Sequence, residues 1–116
     1  MASASPGPDG DVEPGMANAI ATRFGGDAAL YREFAADCAA QFALDVVAGR
    51  AACEAGDLSG LRRLAHDLKS ALTLLGHDGA SSLAARVEGQ AAAGEVDSAR
   101  LSWQSLDTLL TRLGTR

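Results

Sequence analysis

The chain has 116 residues, of which 47% are hydrophobic and 4% aromatic, and its formal net charge is −5 at pH 7. A chain of this length builds one domain around one core and leaves no room for a second catalytic domain. Abundant alanine with few aromatic residues favours packed helices over a β-sheet. The acidic balance argues against a nucleic-acid partner, because that class of protein needs clustered Lys and Arg.

Neither a membrane span nor a secretory signal is visible in the sequence. No apolar run approaches the roughly 20 residues of a membrane-spanning helix, and the N-terminus lacks the charged start and apolar stretch of a signal peptide. We therefore expect a cytoplasmic protein with no membrane contact. Cys38 and Cys53 fall in one predicted helix, roughly 22 Å apart along its axis, so they cannot bridge each other. We interpret both as buried thiols.

The N-terminal third begins without apolar periodicity. Residues 1–15 are rich in Pro, Gly, Ser and Asp, which predicts a disordered leader. Residues 16–24 are expected to form a short lead-in helix, which the glycines at 25–26 end. Asp27 is placed to cap a long helix. The core stripe predicted for that helix, at four-residue steps, is Leu30, Phe34, Cys38, Phe42 and Val46.

Three further helices follow, each bounded by glycine and aspartate. Gly56 is a helix stop and Asp57 a helix cap, and no breaker then occurs until Gly76. The later signals are a cap at Asp78, a stop at Gly94 and a last helix opening at Asp97. Four substantial helices with short connections predict, over residues 16–116, an all-α domain arranged as an antiparallel up-down-up-down four-helix bundle.

The third predicted helix separates an apolar arc from a polar one. At about 100° per residue, its apolar residues share one arc roughly 100° wide. They are Leu61, Leu64, Leu68, Ala71, Leu72 and Leu75. His66 points away from this arc, and Lys69 lies one turn further along on the same side. An apolar rim from Ala65 or Leu72 is expected around the histidine.

An exposed imidazole can accept a phosphoryl group. With an ordinary pKa of about 6.5, such a ring is mostly neutral near pH 7 and has a nitrogen lone pair for attack on phosphorus. Lys69 would offset the negative charge of the phosphorylated ring. We expect Arg62, Arg63, Ser70 and Thr73 to contribute to partner docking.

The chain carries no phosphate-binding loop of the Walker type and no acid, base or metal cluster that would activate a nucleotide. We therefore expect a phosphocarrier without kinase activity, cofactor or metal site of its own. The donor would bring the Mg²⁺ that phosphoryl transfer requires. His77 lies beyond the helix end, where a surface or capping role is expected rather than metal binding with His66.

Residues 66–70 (HDLKS) and 75–76 (LG) resemble the signature of the histidine-containing phosphotransfer (HPt) domain family. The segments GGDAALYREF, EAGDLSGLRRLAH and SSLAARVE are similar to its helical framework. The resemblance implies a four-helix bundle whose histidine, here His66, is reversibly phosphorylated by a receiver aspartyl phosphate. It implies that Lys69 stabilises the phosphate and that Gly76 permits close helix packing. Ser70 stands where the family usually has glycine.

The resulting hypothesis is a bacterial phosphorelay intermediate, monomeric, whose partners are the receiver domains of a hybrid histidine kinase and of a response regulator. Two alternatives stay open. One is a non-catalytic adaptor that docks receivers without accepting phosphate. The other is a histidine-kinase dimerisation fragment, because HDLKSAL also resembles that phosphoacceptor box, although Ala71 occupies the position where the box prefers proline.

Overall fold

A computed structural model describes residues 14–114, which form five α-helices and no strand. Their bounds are α1 Pro14–Arg23, α2 Ala28–Ala55, α3 Leu58–Leu75, α4 Asp78–Ala92 and α5 Val96–Gly114. The predicted disordered leader falls mostly on residues 1–13, which lie outside the described range. Helix α1 begins two residues earlier than predicted, with proline in its first turn, where a missing N–H is tolerated.

The predicted helix ends agree with the structure at most positions. The carboxylates of Asp27 and Asp57 accept hydrogen bonds of 2.9 Å from the N–H groups of Leu30 and Gly60. Gly56 ends α2 in a left-handed conformation. The cap predicted at Asp78 is wrong by one residue, because His77 is the N-cap of α4 and Asp78 is its first residue. There its negative charge still faces the positive end of the helix dipole.

Helix α2 buries Tyr31 rather than Leu30. Tyr31 is 3% exposed and Leu30 is 48% exposed. The prediction that Leu30 is the first core residue of this helix is therefore wrong. The tyrosine hydroxyl donates a 2.7 Å hydrogen bond to the carbonyl oxygen of Leu75 in α3. A buried phenol needs such a partner, and this bond allows the polar ring to replace the leucine. Cys38, Phe42 and Val46 are buried as predicted.

The apolar arc of α3 lies in the core. Five residues of the helix are buried: Leu61, Ala65, Leu68, Leu72 and Leu75. Leu64 and Ala71 are half-buried at its edge. Ala65 and Leu72 are fully buried, so the apolar rim expected from them around His66 is wrong. Both side chains lie on the half of α3 that faces the core, so neither can border the exposed His66.

The helices form a bundle in which α3 contacts α2 and α4, α5 contacts α4 and α2, and α1 packs on α3. Polar contacts join α2 to α5: Arg50 binds Asp107 through two bonds of 2.8 and 3.0 Å, and Arg100 donates to the carbonyl of Cys53. Both cysteines lie on α2 as free thiols, and Cys53 is only partly buried.

Candidate functional site

His66 lies in the middle of α3 with its side chain 58% exposed. Its outward position follows from the packing of α3, because the leucines of the arc face the core on the opposite side of the helix. Lys69 is three residues further along, so its side chain lies on a neighbouring part of the same surface. The periodicity of the sequence therefore predicts the orientation of His66 correctly.

A carboxylate from α4 connects these two side chains. Glu88 Oε2 lies 2.9 Å from Nδ1 of His66, and Glu88 Oε1 accepts a 2.7 Å hydrogen bond from Nζ of Lys69. The glutamate side chain is 20% exposed. Its neighbour Val87 is fully buried against α3 and the other core helices, which places Glu88 at the edge of the α3–α4 interface. One residue thus fixes the histidine ring and the lysine ammonium together.

These hydrogen bonds lower the pKa of Glu88 below its ordinary value, with the bond from Lys69 the largest cause and the bond from His66 the second. Glu88 is therefore ionised at neutral pH and can only accept hydrogen bonds. Nδ1 of His66 must then carry the hydrogen of the shared bond. When the ring is neutral, its lone pair is therefore on Nε2, the nitrogen that does not face the glutamate.

The predicted docking residues Arg62, Arg63, Ser70 and Thr73 are all exposed on α3. The Ser70 hydroxyl lies 3.4 Å from the carbonyl oxygen of His66, a long hydrogen bond within the helix. Arg63 donates to the Ser59 hydroxyl at 3.2 Å, one turn earlier. These residues share a surface with His66, whose ring is hydrogen-bonded to Glu88 instead.

A groove that contains several polar side chains runs from Lys69 along the boundary of α3 and α4. The hydroxyls of Thr73 and Ser81 lie 2.5 Å apart across this boundary. At the far end, Arg23 of α1 donates a 2.7 Å hydrogen bond to the carbonyl oxygen of Thr73. Arg23, Lys69 and both hydroxyl residues line the groove. Sequence reasoning did not include Arg23, because α1 is distant in the chain from α3.

Gly76 permits close packing, and its partner is α1. It ends α3 with φ at +84°, and a Cβ atom there would overlap the backbone of Gly15. A Cβ on Gly15 would in turn overlap the carbonyl of Gly76. His77, next in the chain, is the N-cap of α4 but only 8% exposed, so the surface role offered for it is wrong.

Glu88 is the site residue that sequence reasoning missed. It lies in the segment SSLAARVE, which carries part of the family resemblance, but it is one of 15 acidic residues in the chain. A search for acids about 22 residues beyond His66, on an edge between core and solvent, would have included it. Only the stagger of α4 against α3 selects it from the others.

No candidate metal site and no candidate membrane-spanning helix occur among the described residues. Within residues 14–114, no group of three or more His, Cys, Asp and Glu side chains is arranged to hold a metal ion. In the same range, no helix combines the length and apolar character that crossing a bilayer demands.

The described part of the chain is thus a helical bundle that presents one imidazole, held by a carboxylate, at its surface. A family model for the Hpt domain matches residues 28–116, which include α2 to α5. The chain belongs to the Hpt domain family, whose members act in phosphotransfer of two-component signalling and interact with receiver domains. No curated protein and no solved structure gives a significant match.

Proposed function

We propose that the protein accepts a phosphoryl group on Nε2 of His66 from the aspartyl phosphate of one receiver domain and transfers it to the aspartate of a second receiver. The observation that carries the proposal is the exposed His66 ring, whose Nδ1 is bound by the same carboxylate that binds Lys69. This arrangement supports a defined tautomer, a free nucleophilic nitrogen and a nearby cation in one place.

The transfer step balances without a co-reactant. The Nε2 lone pair attacks phosphorus, the bond from phosphorus to the receiver aspartate oxygen breaks, and the aspartate leaves as a carboxylate. The ring keeps its Nδ1 hydrogen and gains positive charge as the new bond forms. Glu88 stabilises that charge through its 2.9 Å contact with Nδ1. Transfer to the second receiver is the same step reversed.

We assign to Lys69 the role of stabilising the phosphoryl group on His66. Its ammonium is bound to Glu88 Oε1 before transfer, and a phosphoryl group on the neighbouring ring would offer a second anion to the same cation. The charge of Lys69 would reduce repulsion between the incoming group and Glu88.

We propose that the receiver supplies Mg²⁺, and that this chain acts as a phosphocarrier without kinase activity of its own.

We infer that α2 to α5 form an antiparallel up-down-up-down four-helix bundle. Contacts between three pairs of helices support this arrangement, and in two of these pairs the sequence numbers rise on one helix as they fall on its partner. Between α2 and α5, residue 50 contacts 107 and residue 53 contacts 100. Between α3 and α4, residue 69 contacts 88 and residue 73 contacts 81. Between α2 and α3, the start of one meets the end of the other through Tyr31 and Leu75.

The charge of the His66 surface supports docking of an acidic receiver pocket. Arg62, Arg63 and Lys69 lie on α3 around the histidine, and Arg23 lies at the end of the groove. These four cations outnumber the neighbouring acids Asp67 and Glu88. Cations at one face of a chain of net charge −5 would orient an acidic partner toward that face.

The monomeric state, the cytoplasmic location and the bacterial pathway stay predictions.

A single assay tests the proposal. The protein is mixed with a receiver domain that carries a radiolabelled phosphoryl group, in the presence of Mg²⁺. We expect label on the protein that is lost in acid and retained in base, and no label on His66→Gln. His77→Gln is the matched control, because the chain has two histidines, and it should keep the label if circular dichroism shows that it folds.

The labelling assay and light scattering together separate the alternatives. An adaptor would bind the receiver but acquire no label, and a kinase dimerisation fragment would have the mass of a dimer in light scattering. Either result, with a receiver shown to be phosphorylated, would contradict the proposal.

A further inference from the structure

Helix α2 has a second apolar face opposite its core face. Ala40, Leu44, Val47 and Ala51 follow one another at steps of four, three and four residues, and all are exposed. Leu44 and Val47 are each 64% exposed. We call these four residues the outer α2 face. It extends about 16 Å along the helix, and the steps are those of an interface between two helices.

Acidic residues lie at both ends of this face. Glu33 and Asp37 precede it and Glu54 follows it, and all three are exposed. The basic residues of α2 are directed toward α5 instead. Arg50 binds Asp107 of α5, and Arg32 lines a cavity together with Leu113 of the same helix. The outer α2 face is therefore apolar at its centre and negative at its ends.

This charge distribution opposes a second copy of the chain as the occupant. An antiparallel pair with Leu44 of one copy opposite Val47 of the other would place Asp37 opposite Glu54 at each end. A parallel pair would place each acid opposite itself. Like charges at these positions of two packed helices are destabilising. The first thirteen residues of the chain are also unsuited, because they include Asp9, Asp11 and Glu13 and no Lys or Arg.

We propose that the outer α2 face docks an amphipathic helix of another protein, with apolar residues at the same four-three spacing and Lys or Arg beyond both ends of that stripe. Apolar contact with Leu44 and Val47 would supply affinity, and the acids at both ends would select partners of positive charge. This interaction would be additional to phosphotransfer at His66 and independent of it.

The probe is a fluorescein-labelled synthetic peptide of about 20 residues, with leucine at the four-three positions and lysine at both ends. A second peptide has glutamate in place of the lysines. In fluorescence anisotropy we expect the lysine peptide to bind at least about tenfold more tightly than the glutamate peptide. Added NaCl should reduce this difference, because salt screens exposed charges.

Protein variants locate the site. Leu44→Glu and Val47→Glu should each weaken binding of the lysine peptide by about tenfold or more, since each places a charge in the apolar contact. Leu101→Glu is the matched control, because Leu101 of α5 is 65% exposed, and it should leave binding unchanged. Circular dichroism checks that each variant folds, and both variants should accept phosphate as the wild-type protein does.

Four results would overturn the proposal. The first is equal binding of the two peptides, and the second is equal binding by wild type and both α2 variants. The third is a dimer in sedimentation velocity that Leu44→Glu abolishes, since the occupant would then be a second copy. The fourth is Leu44-dependent binding to vesicles of anionic phospholipid, which would identify the outer α2 face as a membrane contact.

Discussion

Gly49 of α2 lies directly against the indole ring of Trp103 in α5, so that a Cβ atom on residue 49 would overlap the ring. Trp103 is 2% exposed and is the largest of the fully buried side chains in the described range. The two helices approach each other here because residue 49 has no side chain. In the sequence alone, a glycine inside a 28-residue helix is only a local weakness.

Gly49→Ala should therefore destabilise the protein by about 1–3 kcal/mol, as overpacking in a core does, despite the better helix propensity of alanine. Gly89→Ala is the matched control, because Gly89 lies inside α4 with nothing near its missing Cβ. It should stabilise the protein by about 0.5–1 kcal/mol. Urea unfolding measures both, and equal effects of the two substitutions would contradict the assigned contact.

The contact between Gly76 and α1 leads to a second pair of substitutions. Gly56 and Gly76 both end helices with positive φ, at +69° and +84°, but only Gly76 has another backbone, that of Gly15, against its missing Cβ. Gly56→Ala should cost about 1–2 kcal/mol from the left-handed conformation alone. Gly76→Ala should cost more and should increase hydrogen exchange in α1. Equal costs would show that α1 does not pack there.

Phosphotransfer should depend on Lys69 and on Glu88, whose carboxylate binds both Lys69 and His66. Lys69→Ala removes the cation beside His66 and should slow phosphorylation by about a hundredfold. Glu88→Gln retains a hydrogen-bonding side chain but not the charge, and should slow transfer at least about tenfold. Both should lower the unfolding temperature only slightly, because the two side chains are partly exposed and an ion pair of this kind contributes little to stability. Wild-type rates in a quenched-flow assay would contradict the roles assigned.

Glu88 should titrate below its ordinary pKa of 4.5, because Lys69 and His66 bind its ionised form. A lowered folded-state pKa means that this group stabilises the fold above pH 4.5, and that the stabilisation is lost as pH falls through the lower value. The side-chain carboxyl ¹³C shift measures the pKa. Lys69→Met removes the largest cause and should raise the pKa of Glu88, while Arg63→Met, whose arginine binds Ser59 instead, should not.

Asp45 of α2 should behave in the opposite way. Partial burial is the main cause of its raised pKa, the bond from Gln41 opposes it, and the negative charge of Asp67 raises it further. A raised pKa means that ionised Asp45 destabilises the fold at neutral pH, and that this cost declines as pH falls from the raised value toward the ordinary value of 3.8. Asp45→Asn keeps an acceptor for Gln41.

The Asp45→Asn variant should thus have a higher Tm than wild type at pH 7, with a smaller difference near pH 4. Differential scanning calorimetry at both values tests the prediction. Asp37→Asn, an exposed acid of the same helix, should change Tm less. A lower Tm for Asp45→Asn at pH 7 would show that the ionised carboxylate is favourable where it lies.

The sequence by itself determined the features that arise within a few residues along the chain. Helix ends at Gly56, Asp57 and Gly76 follow from left-handed glycine and from side-chain caps, which are local. The outward position of His66 follows from the angle per residue of one helix, because the leucines around it define the core side. These effects need no knowledge of any other helix.

Only the tertiary structure decided which side chains meet between helices. It selected Glu88 as the partner of His66, placed Tyr31 in the core in place of Leu30, and set Gly49 against Trp103. Such pairings depend on the rotation and axial stagger of two packed helices, and a shift of one residue turns a side chain by about 100°. Periodicity constrains the buried arc of a helix only broadly, so it cannot choose between neighbouring residues at the edge of that arc.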